Sequence, residues 1–247
     1  MNFFSLFKRS IIYKFKNKTS IDTDNLKTNS LDELFHYYGS DKADFFIKTQ
    51  EKSHGYSVFY KKELEKFKNI NVNILEIGSY SGASAAAFSK YLPNSNIFCF
   101  DVNISNFKYK SNKIHVFGLD INNKKKIKKI LKQIFTKHKV KEFDIIIDDG
   151  SHNLSDILHG FKFFFNLLKK NGLYVIEDFK HPNYFSYNND VNHIFFDEFL
   201  KNLKNKKISN SKIISEKEQD TIIKSIKKIE IFKGNLKNSD ISFISKI

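Results

Sequence analysis

From residue 71 onward, short and nearly unbroken apolar runs alternate with longer stretches of helical periodicity. "NVNILEIG" (71–78), "NIFCFDV" (96–102), "KIHVFGLDI" (113–121), "FDIIIDDG" (143–150) and "GLYVIED" (172–178) read as strands. A strand apolar at consecutive positions is covered on both faces, as strands of parallel sheets are. Between these runs, "GASAAAFSKYL" (82–92), "KKKIKKILKQIFTKH" (124–138) and "LSDILHGFKFFFNLLKK" (154–170) predict helices. The alternation predicts an α/β fold with helices on both faces of a mostly parallel sheet. "HIFFDEFLKNLKN" (193–205) predicts a further helix, and residues 206–224 are polar and carry no clear period. "KKIEIFKG" (227–234) and "DISFISKI" (240–247) are strands with a short connection, an antiparallel hairpin that brings the sheet to seven strands.

The first 30 residues read as an appendage to a domain over 31–247. "NFFSLFKRSIIYKFKNK" (2–18) sets Phe4, Phe7, Ile11 and Phe15 at helical spacing among Lys8, Arg9, Lys14 and Lys16, and "TSIDTDNLKTNS" (19–30) reads as a linker. Apolar stripes at this spacing usually pack on their own domain or on a second copy, giving a homo-oligomer. The alternative is an amphipathic helix lying on an anionic membrane.

Composition narrows the classes. The 247 residues are 40% hydrophobic, enough for one large domain, and no apolar run approaches the ~18 residues of a spanning helix. The N-terminus mixes lysine into its apolar positions and lacks a small-residue cleavage site, so no secretory leader is expected. The single cysteine, Cys99, sits in an apolar run and reads as a buried free thiol in a reducing, cytoplasmic compartment. A net charge of +15 invites an anionic partner, either a nucleic acid or the inner membrane face. Arg9, however, is the only arginine among 42 basic residues. Base and phosphate readout leans on arginine's planar fork, so nucleic acid is not expected as a partner. A basic binding module without catalysis, or an RNA methyltransferase, remains as an alternative.

The informative residues collect at the carboxyl ends of the expected strands, where open parallel sheets bind ligands. Glu76, Gly78 and Gly82 follow the first strand, Asp101 the second and Asp120 the third. Asp148, Asp149 and His152 follow the fourth, and Glu177 and Asp178 the fifth. The loop "EIGSYSGAS" lacks the G-x-G-x-x-G of dinucleotide folds. An acid ahead of the first glycine repels a pyrophosphate but suits an ammonium, and Asp101 suits a ribose diol. Together they point to S-adenosyl-L-methionine, with Glu76, Gly78, Gly82, Asp101 and Asp120 around it.

Asp149, Glu177 and Asp178 offer three carboxylates without clustered cysteine or histidine, a donor set for Mg2+. His152, three residues past Asp149 and beyond a glycine turn, is the candidate general base for a hydroxyl. Asp148 or Asp149 has a second possible role, capping the helix that starts near Leu154.

These motifs resemble the class I S-adenosylmethionine-dependent methyltransferases. "LEIGSYSGASA" is similar to the catechol O-methyltransferase type of the first motif, and an acid with a base three residues later resembles the same metal-dependent arrangement. Together with "YYGSDKADFFIKTQEKSHGYSVFYKKEL" (37–64), "IIIDDGSH" and "GLYVIED" resemble the macrolide-sugar O-methyltransferases of mycinamicin and macrocin type, near the cephalosporin-biosynthesis methyltransferase-like group. The resemblance covers residues 31–185. It implies a Rossmann-like class I methyltransferase fold and Mg2+-dependent methylation of a hydroxyl on a sugar or glycan precursor. It also implies His152 as base, Asp149, Glu177 and Asp178 near the metal, and Tyr56 of "HGY" against the cofactor.

Overall fold

The computed structural model describes residues 3–26, 28, 30–46 and 49–247. Position 2 of the expected N-terminal helix, positions 27 and 29 of the expected linker, and positions 47 and 48 lie outside the described residues. The chain divides into two compact units, Met1–Lys141 and Glu142–Ile247.

The first unit runs α1 (Phe3–Phe15), β1 (Thr19–Ser20), α2 (Leu31–Tyr38), α3 (Ser57–Leu64), β2 (Val72–Ile77), α4 (Ala83–Tyr91), β3 (Ser95–Asp101), β4 (Tyr109–Lys110), β5 (Ile114–Gly118) and α5 (Lys124–His138). The second runs β6 (Phe143–Asp148), α6 (Leu154–Phe164), β7 (Leu168–Glu177), α7 (His181–Tyr184), α8 (Phe196–Lys204), α9 (Glu216–Ser225), β8 (Ile226–Lys233) and β9 (Asp240–Lys246). The units supply three and four strands of a seven-stranded mixed sheet of Rossmann-like type, as the apolar runs predicted.

In the first unit β3 lies between β2 and β5, both pairings parallel. Ile97, Phe98, Cys99 and Phe100 of β3 are fully buried, which is why that run carries no polar alternation. α5 buries Ile127, Ile130, Leu131 and Ile134 and turns its lysines outward, and Asn123 caps its first turn. In the second unit β6 pairs parallel with β7, and β7, β9 and β8 continue as the expected antiparallel hairpin.

Three local readings change. The helix expected to run to residue 170 ends at Phe164, followed by one 3-10 turn, and Leu168 already pairs with Phe143. Sheet hydrogen bonding at Leu168 outweighs helical spacing there. Residues 206–224, without a visible period, contain most of α9, nucleated by a capping box between Ser215 and Glu218. In the expected linker, Thr19 and Ser20 pair in parallel with Tyr109 and Lys110. Among the described residues no helix is long and apolar enough to cross a membrane.

Candidate active site

In the first unit the turn after β2 brings four predicted residues together. Gly78 (φ +83°) and Gly82 (φ +77°) both take the left-handed conformation that glycine adopts at little cost. At Gly82 a side chain is excluded twice, because an added Cβ would also fall on the ring of Phe107. Tyr80, between them, holds φ +40°, an expensive conformation for an aromatic residue. Its N–H donates to Asp101 Oδ2 at 2.7 Å, and the other carboxylate oxygen of Asp101 accepts from the Asn103 N–H. A carboxylate has about four acceptor positions, so Asp101 keeps capacity for a diol.

Glu76 is fully buried and accepts a hydrogen bond from Ser84 Oγ, while Cys99 Sγ lies 3.9 Å from its other oxygen. Burial, with Glu76 beside it, holds the Cys99 thiol well above its ordinary pKa. The cysteine is therefore a buried thiol rather than a nucleophile. Asp120 lies two residues past the end of β5, half-buried, and accepts from the Asn122 N–H at 2.9 Å.

Tyr56 is completely buried at the start of α3, with the His54 ring 5.2 Å from its own. Its N–H donates to the Lys42 carbonyl, and Gly55 N–H donates to that of Ala43, each at 2.9 Å. The stretch between "GSDK" and "HGY" is therefore a side excursion, closed by a bridge between Phe45 and Lys52. Lys42, which sequence reasoning passed over, is itself 1% exposed.

In the second unit the structure gathers Asp149, His152 and Asp178, one ligand atom from each lying within 4.8 Å of the others. His152 Nε2 stands 3.6 Å from Asp149 Oδ1. His152 (φ +53°) and Asp178 (φ +49°) both occupy the left-handed region, which costs a residue with a Cβ roughly 1–2 kcal/mol. Strain at two of the three members marks a constellation that the surrounding chain holds in place. The two carboxylates are oxygen donors that fit a hard divalent ion, with the imidazole beside them placed to take a proton. Glu177, 2% exposed at the end of β7, is outside that trio.

Neither aspartate caps α6. Asn153 does so, its side chain accepting from Ser155 N–H. Asp148 instead turns into the interior, where its Oδ2 is buried without a hydrogen-bond partner. Burial, and then the charge of Asp149, push its pKa up to about 7. Gly160 of α6 provides the space, since a Cβ there would come within 2.9 Å of that oxygen.

Sequence reasoning also missed His181. Its ring stacks on His152, centroids 5.6 Å apart, and the Asn188 amide bonds its Nδ1 at 2.8 Å. Burial and the neighbouring His152 lower its pKa, while Asp178 opposes this. The available signal was spacing: Asp178 and His181 repeat the interval of Asp149 and His152.

Residues 75–179 match the family model of a methyltransferase domain, from the strand before the glycine turn to the residue after Asp178. The chain is 26% identical over 155 residues to mycinamicin VI 2''-O-methyltransferase of Micromonospora griseorubida, covering 60% of this chain and 35% of that protein. It is 29% identical over 159 residues to L-olivosyl-oleandolide 3-O-methyltransferase of Streptomyces antibioticus, covering 62% and 38%. The chain thus spans little more than a third of these relatives. Among solved structures, its fold is similar to that of the MycE methyltransferase of the mycinamycin pathway in complex with Mg, SAH and mycinamycin VI. The TM-score is 0.66 at 19% identity, over 89% of this chain and 55% of the other.

Proposed function

We propose that this chain, whose residues 75–179 form a methyltransferase domain, transfers the methyl group of S-adenosyl-L-methionine to a sugar hydroxyl with the help of Mg2+. The observation that carries this reading is the convergence of Asp149, His152 and Asp178 within 4.8 Å, which offers carboxylates for a cation and an imidazole for a proton.

The first unit receives the cofactor. Asp101, oriented by the Tyr80 N–H, accepts the ribose hydroxyls, and the backbone at Gly78 and Gly82 allows close approach. Glu76 favours the ammonium group electrostatically, and Asp120 and Tyr56 are assigned to the same cofactor. In the second unit Asp149, Asp178 and Glu177 hold the ion. His152 removes the acceptor's proton, a task suited to an imidazole at neutral pH. When bound, Mg2+ supplies charge that acidifies a nearby hydroxyl, and the cofactor supplies an electrophilic methyl.

A sugar acceptor rests on the relatives. L-olivosyl-oleandolide 3-O-methyltransferase names a glycosyl group, as does the 24%-identical 8-demethyl-8-alpha-L-rhamnosyl tetracenomycin-C 2'-O-methyltransferase of Streptomyces olivaceus, of which the match covers 33%. The test is transfer of tritiated methyl from S-adenosyl-L-methionine to deoxysugar glycosides with free 2- or 3-hydroxyls, with and without Mg2+. Mg2+-dependent label on the sugar supports the reading. Failure to bind S-adenosylhomocysteine in calorimetry would sink it.

A further inference from the structure

We propose that α1 is an interfacial helix that docks this chain on an anionic lipid surface. The expected apolar stripe is not the face that packs. Leu6 is buried, the Ser10 hydroxyl sits over Gly118, and the Tyr13 ring meets Phe107 edge-on at 6.3 Å. On the same side Arg9 donates to the Val102 carbonyl, and Lys16 donates to those of Ser105 and Asn106. This side fastens the helix to the first unit.

The opposite side carries Phe4, Phe7, Ile11, Ile12 and Phe15 at 75%, 56%, 43%, 44% and 77% exposure. Five large apolar side chains exposed on one helical face are the kind of surface that marks an interaction site. Charge selects the occupant. Residues 3–18 contain Lys8, Arg9, Lys14, Lys16 and Lys18 and no acid, and the exposed Lys8 lies among these apolar side chains with the exposed Lys14 at their edge. A second copy would set these cations against their equivalents. A bilayer rich in acidic headgroups receives the aromatic rings at the acyl boundary while the lysine stems reach up to phosphate. Fixing the helix by its other face orients the chain on that surface at little entropic cost. This inference rests on α1 and is independent of the methyl-transfer reading.

The test is co-sedimentation of the full chain with vesicles of phosphatidylcholine alone or mixed with phosphatidylglycerol. Two variants accompany it, Phe7→Ser/Ile11→Ser/Phe15→Ser and Lys8→Glu/Lys14→Glu. All five positions are exposed, so thermal melting should show both variants folded. The expected result is binding to the anionic vesicles only, weakened by salt and reduced about tenfold or more in each variant. Absence of wild-type binding overturns the proposal, as does binding that the serine variant leaves intact. A wild-type dimer that the serine variant converts to monomer assigns the face to a second copy instead, and also overturns it.

Discussion

The imidazoles of His152 and His181 stack with their planes 29° from parallel, each ring borne three residues beyond an aspartate of the candidate metal cluster. The turns after β6 and β7 thus carry the same Asp-x-x-His interval, and each holds one residue in the left-handed region, His152 and Asp178. Backbone strain and side-chain chemistry coincide at His152, and substitution can separate them.

His152→Ala should lower kcat by about 10²–10⁴-fold with S-adenosylhomocysteine affinity nearly unchanged, because it removes a proton acceptor. His152→Gly should be as inactive, yet about 1 kcal/mol more stable than the alanine variant, since glycine relieves the positive φ. Urea denaturation with a turnover assay checks both. Equal stability of the two variants would show that the conformation at residue 152 is unstrained.

Removal of divalent ions with EDTA should abolish methyl transfer, and added Mg2+ should restore it. Asp149→Asn and Asp178→Asn should each weaken Mg2+ binding by about tenfold or more in calorimetry. The same measurement on Glu177→Gln asks whether that buried carboxylate joins the ion. An unchanged affinity would confine the carboxylate ligands to Asp149 and Asp178.

Gly82→Ala should destabilise the chain by about 1–3 kcal/mol, from the positive φ and the Phe107 ring together. S-adenosylhomocysteine binding should weaken with it, because the Tyr80 N–H that orients Asp101 belongs to the same turn. Wild-type melting temperature and affinity in this variant would refute the packing argument.

The His115–His138 pair should withdraw stability as pH drops from about 6.5 to 4, against the opposite contribution of Asp148, whose pKa is pushed up to about 7. His115 lies 4.2 Å from His138 ring to ring, and its pKa is lowered to about 4 by burial, then by His138 and Lys137. His138 is lowered for similar reasons. At these two histidines the unfolded chain therefore binds more protons across this window, and their contribution to stability is lost as pH falls. Allowing for partial exposure, the effect of His115 is on the order of 1–2 kcal/mol. His115→Phe should make the slope of melting temperature against pH between 4 and 6.5 less positive than in the wild type. A slope identical to wild type would place the proton uptake elsewhere.

The sequence by itself determined most of the elements and where the candidate residues gather, at the ends of strands. Nearly unbroken apolar runs such as "FDIII" read as strands covered on both faces, and the spacing of Asp149 and His152 follows from one short turn. Tertiary structure decided which surface each side chain meets. Asn153 rather than an aspartate caps α6, Asp148 turns inward toward the space left by Gly160, and His181 comes to rest on His152. In α1 the carbonyls of Val102, Ser105 and Asn106, about 90 residues downstream, fix the side that packs and leave the phenylalanine stripe in solvent. Hydrophobic periodicity is a local property of the chain, whereas the face that becomes buried depends on partners brought near only by folding.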